Sequence, residues 1–386
     1  MNSENIQKLS FDTLNLSENI LRGIYSYGFE NPSHIQYKSI PIIISGKDTI
    51  AQAQSGTGKT GAFLISVLER VDVSLNETQI LILVPTHELV HQINGVLKEL
   101  SKYITGIRNT ILIGGTSINE TRKELDKIPH IIIGTPGRVL DMIQKGYFYT
   151  SHLKTVIFDE ADETLSFGFK NTIYNIIKTI PSTTQICLFS ATVPQDIIEL
   201  SEKFMKNPEK ILVKKESLTL EGITQFYIDV RHADWKYDIL KDLYDTINIS
   251  QCIIYINSKH KLMQVYKNLI EDNFPVSYIH GELTSDERED VMKEFRSGQI
   301  RILLSTDLLS RGIDVQQLSL VINYDLPRQK ETYIHRIGRS GRYGRKGVAI
   351  NLACNREINY IEELSSFYNT TIKEMPQNLE DYLTNI

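Results

Sequence analysis

Two segments about a hundred residues apart carry side chains that could cleave a phosphoanhydride. The first is Ala53–Thr60, reading AQSGTGKT. Its glycines let backbone amides close on phosphate oxygens, and the helix expected to open there adds the positive end of its dipole. Ala53, Gln54, Ser55, Gly56, Thr57 and Gly58 would form the cradle. Lys59 would reach the β and γ phosphates, and the Thr60 hydroxyl would ligate a magnesium ion. Glycine is usual where this chain has Ala53, so the strict consensus is not met. The second segment is Asp159-Glu160-Ala161-Asp162, directly after the apolar run Thr155–Phe158. One carboxylate, Asp159, suits the metal. The next, Glu160, suits the orientation and deprotonation of an attacking water. Together the two segments predict nucleoside triphosphate hydrolysis.

A third segment is basic. His335–Arg342 reads HRIGRSGR, and Arg336, Arg339, Arg342, Arg345 and Lys346 fall within eleven residues that contain no acid. Arginines three apart, Arg339 and Arg342, can face one γ-phosphate, and an arginine finger is worth ~10³–10⁵ in turnover. The chain as a whole carries a net charge of −5. A diffuse basic coat is thereby excluded, and any polyanion must be held in a local groove.

These residues need a frame. Short Ile/Val/Leu runs recur at Thr49–Gln52, Ile80–Val84, Thr110–Ile113, Ile131–Ile133, Val156–Phe158 and Ile186–Phe189. They recur again at Phe226–Val230, Cys252–Ile256, Val276–Ile279, Ile302–Leu304, Leu320–Tyr324 and Val348–Leu352. Continuous apolar runs separated by helix-length stretches predict parallel strands covered on both faces, that is, an α/β doubly wound sheet. The series occurs twice, so two domains are expected, residues 1–213 and 223–386. The polar stretch 214–222, which contains KKESLTLE, would link them. In such sheets ligands bind beyond the C-terminal strand ends, and the candidate residues follow strands at just those ends. The finger would come from the second domain and the phosphate loop from the first, so hydrolysis would require closure of the two.

The 386-residue length exceeds what one core usually serves, and 41% hydrophobic content argues against disorder. Cys187, Cys252 and Cys354 lie far apart in apolar stretches, as buried free thiols would. No apolar run approaches the ~20 residues that span a bilayer. A cytoplasmic monomer without a membrane role is expected, with the nucleus left open. Trp235, His91 and His130 are expected to be packing or surface groups.

The ordered motifs make a resemblance specific. Phe11 with Tyr27–Gln36 (YGFENPSHIQ), AQSGTGKT, Pro85–Leu89 (PTHEL), Gly114-Gly115, Thr135–Arg138 (TPGR) and DEAD occur in that sequence. They are followed by SAT at 190–192, Ile256–Lys259 (INSK), Ser305–Asp314 (STDLLSRGID) and HRIGRSGR. Across nearly its whole length the chain resembles the DEAD-box RNA helicases, and among them the group of translation initiation factor 4A. The resemblance implies two tandem RecA-like domains, ATP and Mg²⁺ as ligands and RNA as partner, with a scaffold or regulatory protein as a further one. It implies that Gln36 reads the adenine edge while Phe29 stacks on the ring and the Asn31 backbone touches it. It places Asp314 on the ribose and makes Ser190 and Thr192 a link between nucleotide and RNA. Pro85, Thr86, Gly115, Thr135, Arg138, Gly281, Arg288 and Thr306 would contact the RNA backbone. Amides, hydroxyls and arginines of this kind read phosphate and 2′-OH, so binding without sequence preference is expected. Two positions depart from the family pattern: His87 replaces an arginine, and Ser285 replaces a glutamine, and each removes or weakens an RNA contact. Three activities remain open at this point: local unwinding of short RNA duplexes in translation initiation, an ATP-gated RNA clamp, and DNA unwinding.

Overall fold

The computed structural model describes residues 9–53, 56–165, 168–212, 223–246, 251–307, 318–338, 340 and 347–376. The chain divides into two compact units, Met1–Val213 and Lys214–Ile386. Residues 214–222, the expected linker, lie outside the described residues.

In the first unit seven parallel strands form one sheet. They are β1 (Thr49–Gln52), β2 (Ile80–Leu83), β3 (Asn109–Leu112), β4 (Ile131–Gly134), β5 (Thr155–Phe158), β6 (Gln185–Ser190) and β7 (Glu209–Ile211), ordered 3-4-2-5-6-1-7. The strand ILIL shows why an unbroken apolar run suits this sheet. Ile80 and Ile82 pack into one core with Phe63 and Val90, whereas Leu81 and Leu83 point to the other face, into a core with Val139 and Phe158. Period-2 alternation sends successive side chains to opposite faces, and both faces are covered by helices.

The second unit repeats the plan. Its strands are β8 (Ile223–Asp229), β9 (Cys252–Tyr255), β10 (Val276–Ile279), β11 (Ile302–Ser305), β12 (Leu320–Asn323), β13 (Gly347–Ala353) and β14 (Ile372–Glu374), ordered 10-11-9-12-13-8-14. Cys252 and Ile254 face one core, and Ile253 and Tyr255 the other.

All twelve apolar runs become strands. Two further strands, β7 and β14, have no apolar run behind them: EKI and IKE are edge strands with mostly exposed side chains, held by pairing with β1 and β8. No helix among the described residues is long and apolar enough to cross a membrane. Cys187 and Cys252 are buried free thiols, and Cys354 is half-buried at the start of the helix Asn355–Tyr368.

Candidate nucleotide and RNA sites

Strand order sorts the candidate residues of the first unit. β1, β6 and β5 are neighbours, and their C-terminal ends carry the phosphate-loop segment, Ser190 and Asp159. β2, β4 and β3 are the next neighbours, and their ends carry Pro85 and Thr86, then Thr135, then Gly115. The sequence interleaves these positions, and the sheet separates them into two adjoining groups.

In the first group, β1 passes through the loop into the helix Lys59–Arg70, whose N-cap is Gly58 in the left-handed region (φ 93°). Gly58 carries no capping side chain, so the first-turn amides stay open to an anion. Lys59 is buried and donates to the Ala53 carbonyl at 2.6 Å, which folds its ammonium over the loop. Thr57 and Thr60 are half-buried beside it, and Gly56 is exposed. Gln54 and Ser55 lie outside the described residues.

Gln36 reaches the same loop from the helix His34–Ile44. Its Oε1 accepts from the Ser33 backbone N–H at 2.8 Å, and its Nε2 donates to the Gly58 carbonyl at 3.1 Å. Phe29 is half-buried, stacked on the buried Phe11 with ring centroids 6.3 Å apart and edge-on to Tyr27. A methyl group added to Gly61 would lie 2.7 Å from Gln36 Nε2 and 2.9 Å from the Phe29 ring, so both side chains sit directly on the first turn of the phosphate-loop helix. Asn31 is exposed nearby in sequence.

Asp159 and Glu160 leave β5 buried. Glu160 adopts the left-handed conformation (φ 46°), uncommon for a residue with a side chain, which turns the chain sharply into the short helix Ala161–Thr164. Burial, then the adjacent Glu160, push the Asp159 carboxyl up to about 7, while Lys59 pulls the other way. Two buried carboxylates and one ammonium thus share a site, and a hard divalent cation would relieve the repulsion. Asp162, at the end of the DEAD segment, is tied to SAT on both sides: its N–H donates to Ser190 Oγ at 3.4 Å, and Thr192 donates to its Oδ2 at 2.7 Å.

The second group surrounds a cavity of about 400 Å³ lined by Pro85, His87, Gly114, Thr135, Gly137, Arg138, Asp141 and Phe169. Two helices begin at it, His87–Leu100 and Pro136–Gln144. Thr86 caps the first through Leu89 N–H, at 3.3 Å. Arg138 is held by Thr121 Oγ1 at 3.3 Å and the Thr116 carbonyl at 2.9 Å. The His87 imidazole lies over Gly114. Gly115 is exposed beside this cavity, with φ 84°.

In the second unit, Gly281 and Thr306 follow the neighbouring strands β10 and β11. Arg288 is anchored there by donation to the carbonyls of Leu283 (3.1 Å) and Gly281 (3.2 Å). Asp314, Arg339 and Arg342 lie outside the described residues. Arg336, grouped by the sequence with the other basic residues of this run, is set apart from solvent by the fold. It is fully buried and donates to Asp307, Asn257, Asn323 and the Asp325 carbonyl. His130 is buried and accepts from Arg108 N–H at 3.1 Å, and Trp235 is exposed beside His232.

Two parallel doubly wound sheets, the first with a phosphate-loop segment after β1 and paired carboxylates after β5, on either side of β6, define a tandem RecA-like nucleotide-hydrolysing fold. Residues 33–200 match the DEAD/DEAH box helicase family and residues 235–344 the helicase conserved C-terminal domain. The chain belongs to the DEAD-box helicases. It is 53% identical to the ATP-dependent RNA helicase eIF4A of Meyerozyma guilliermondii over 96% of this chain and 93% of that one. Its counterpart in Candida albicans is 54% identical over the same shares. Among solved structures, S. cerevisiae Dbp5 bound to RNA and ADP BeF3 superposes with a TM-score of 0.90 at 32% identity, over 97% of each chain. Mss116p bound to ssRNA and AMP-PNP gives 0.87 at 26% identity, over 98% of this chain and 82% of the other.

Proposed function

We propose that this chain uses ATP hydrolysis to pry apart short RNA duplexes during translation initiation, through the residue roles set out below. Its family makes it an ATP-dependent RNA helicase. The pathway rests on the two yeast relatives, both called eIF4A. The observation that carries the chemistry is the electrostatic coupling of Asp159 to both Glu160 and Lys59, which leave β5 and β1 on either side of the strand β6 in one sheet.

In this reading Lys59 and the loop amides hold the β and γ phosphates, and Gln36, Phe29 and Asn31 hold the adenine side. Thr60 and Asp159, a hydroxyl and a carboxylate, are the oxygen donors that suit Mg²⁺, which when bound would neutralise phosphate charge. Glu160 orients and deprotonates the water. Arg339, Arg342 and Asp314 are assigned from sequence alone, the arginines to transition-state charge and Asp314 to the ribose. Pro85, Thr86, Gly115, Thr135, Arg138, Gly281, Arg288 and Thr306 track the RNA backbone. Asp162, held by Ser190 and Thr192, carries the state of one group of strand ends to the other.

The test is steady-state ATPase with and without single-stranded RNA, combined with strand displacement of a short RNA duplex. RNA-stimulated turnover with displacement supports the proposal. Stimulation without displacement would make the protein an ATP-gated clamp, and equal stimulation by DNA would remove the RNA assignment. A regulatory or scaffold partner is a further part of the proposal. Co-purification with the Glu160→Gln variant would identify it.

A further inference from the structure

We propose that Asn323, Asn351 and Tyr333 are positioning residues for the helix Lys330–Ile337, which carries Arg336 and leads towards Arg339 and Arg342. The inference rests on the reading of His335–Arg342 as part of the ATPase machinery. It starts from the completeness of the Arg336 hydrogen bonding. A guanidinium has five N–H donors and no acceptor. Here Nε donates to Asp307 Oδ1 (2.7 Å), Nη1 to Asn323 Oδ1 (3.2 Å) and the Asp325 carbonyl (2.6 Å), and Nη2 to Asn257 Oδ1 (2.6 Å) while resting 2.5 Å from Asp307 Oδ1. Nothing is left for a phosphate. Arg336 is a strut that binds its helix to the ends of β9, β11 and β12.

Behind the strut runs a chain of buried amides whose direction is fixed link by link. Asn323 gives its oxygen to Arg336, so its Nδ2 must turn away, and it donates to Asn351 Oδ1 at 2.8 Å. The two asparagines are direct register partners on β12 and β13. Asn351 Nδ2 then donates to the Phe226 carbonyl (2.8 Å) and the Tyr333 hydroxyl (3.2 Å). Tyr333 donates to Gln225 Oε1 at 2.9 Å, and Gln225 Nε2 to Thr370 Oγ1 at 2.9 Å. Arg336, Tyr333, Asn323 and Asn351 are fully buried.

Neighbouring positions on these strands are Val, Ile and Leu, and apolar residues would fill the space at no desolvation cost. What the amides add is direction, because each donor and acceptor accepts one orientation. Tyr333 and Arg336 are three residues apart on one helix, so the chain grips that helix at two points on one face. It thereby fixes both the rotation of the helix and its slide along the sheet. Asp307 at the other end follows Thr306, so the strut joins the candidate RNA segment to the candidate catalytic one.

The test uses the full chain, steady-state ATPase with saturating single-stranded RNA, and thermal melting of every variant. Asn323→Leu should lower kcat on the order of tenfold through misplacement alone, with the KM for ATP unchanged. Asn323→Asp keeps an acceptor for Arg336 and should recover most of that loss. Tyr333→Phe removes one hydroxyl and should lower kcat less, again without moving KM. Because the chain acts through Arg336, Asn323→Leu added to Arg336→Lys should cost nothing further in kcat. Wild-type kcat in folded Asn323→Leu and Tyr333→Phe, or additive losses in the double variant, would overturn the proposal. A wild-type protein without RNA-stimulated ATPase would instead sink the reading beneath it.

Discussion

The side-chain amide of Gln36 donates to the backbone carbonyl of Gly58 at 3.1 Å, across 22 residues of sequence. The oxygen of the same amide is held by the Ser33 N–H in a capping box. Gln36 is therefore fixed at both ends and clamps the segment before the first strand to the phosphate loop. A Cβ at position 58 would lie 2.6 Å from Gln36 Nε2, so glycine is needed there for space as well as for its positive φ. ATP should be preferred over GTP, since each Gln36 heavy atom keeps further hydrogen-bonding capacity for the adenine edge. Gln36→Ala should narrow that preference and also lower the melting temperature, because a buried cap and a loop contact are lost together. The loss is on the order of 1–2 kcal/mol. Equal use of GTP by the wild type would refute base reading.

Glu160→Gln removes the proton acceptor while keeping size and position. Turnover should fall to near background, and ATP and RNA binding should persist as a long-lived complex. Fluorescence anisotropy of labelled RNA with ATP measures the complex, and phosphate release measures turnover. Wild-type phosphate release would sink the general-base role.

Asp159→Asn should abolish turnover yet stabilise the nucleotide-free protein. The folded-state carboxyl is raised to about 7, far above its ordinary range, by burial and by Glu160. A raised acid adds stability below its unfolded value, and that stability is lost as pH climbs through 7. The melting-temperature gain from Asn, measured without Mg²⁺, should therefore be larger at pH 8 than at pH 6. A gain that shrinks with rising pH would contradict the burial argument.

His87 lies over Gly114 at the cavity shared with Arg138. A neutral imidazole offers one donor, where arginine offers a permanently charged fork. His87→Arg should tighten single-stranded RNA binding at pH 7.5 and steepen its salt dependence by about 0.7 in log–log slope. An imidazole gains charge towards pH 6, so the advantage of arginine should shrink there. Affinity and slope identical to wild type would mean that position 87 does not touch the strand.

Arg339→Ala or Arg342→Ala should lower turnover far more than ATP affinity, because a finger acts on charge that develops in the transition state. Lys59→Ala should lower both. Full RNA-stimulated activity in either arginine variant would remove the finger assignment.

Sequence alone determined the residue chemistry and the frame that carries it. Unbroken runs such as ILIL, TVIF and ICLF require burial on both faces, which only a covered parallel sheet supplies, and AQSGTGKT and DEAD name their ligands through residue type. The edge strands β7 and β14 were illegible because EKI and IKE have no apolar signature, and pairing with β1 and β8 makes them strands. Strand order was likewise absent from the sequence, and it decides which candidates meet: β1, β6 and β5 gather the phosphate loop, Ser190 and Asp159, while β2, β4 and β3 gather Pro85, Thr135 and Gly115. Arg336 marks the boundary most sharply. Within HRIGRSGR it is one arginine among several, equally suited to a phosphate. Only the fold surrounds it with Asp307, Asn257, Asn323 and a carbonyl, and a guanidinium removed from water must spend its donors on whatever the tertiary structure puts there.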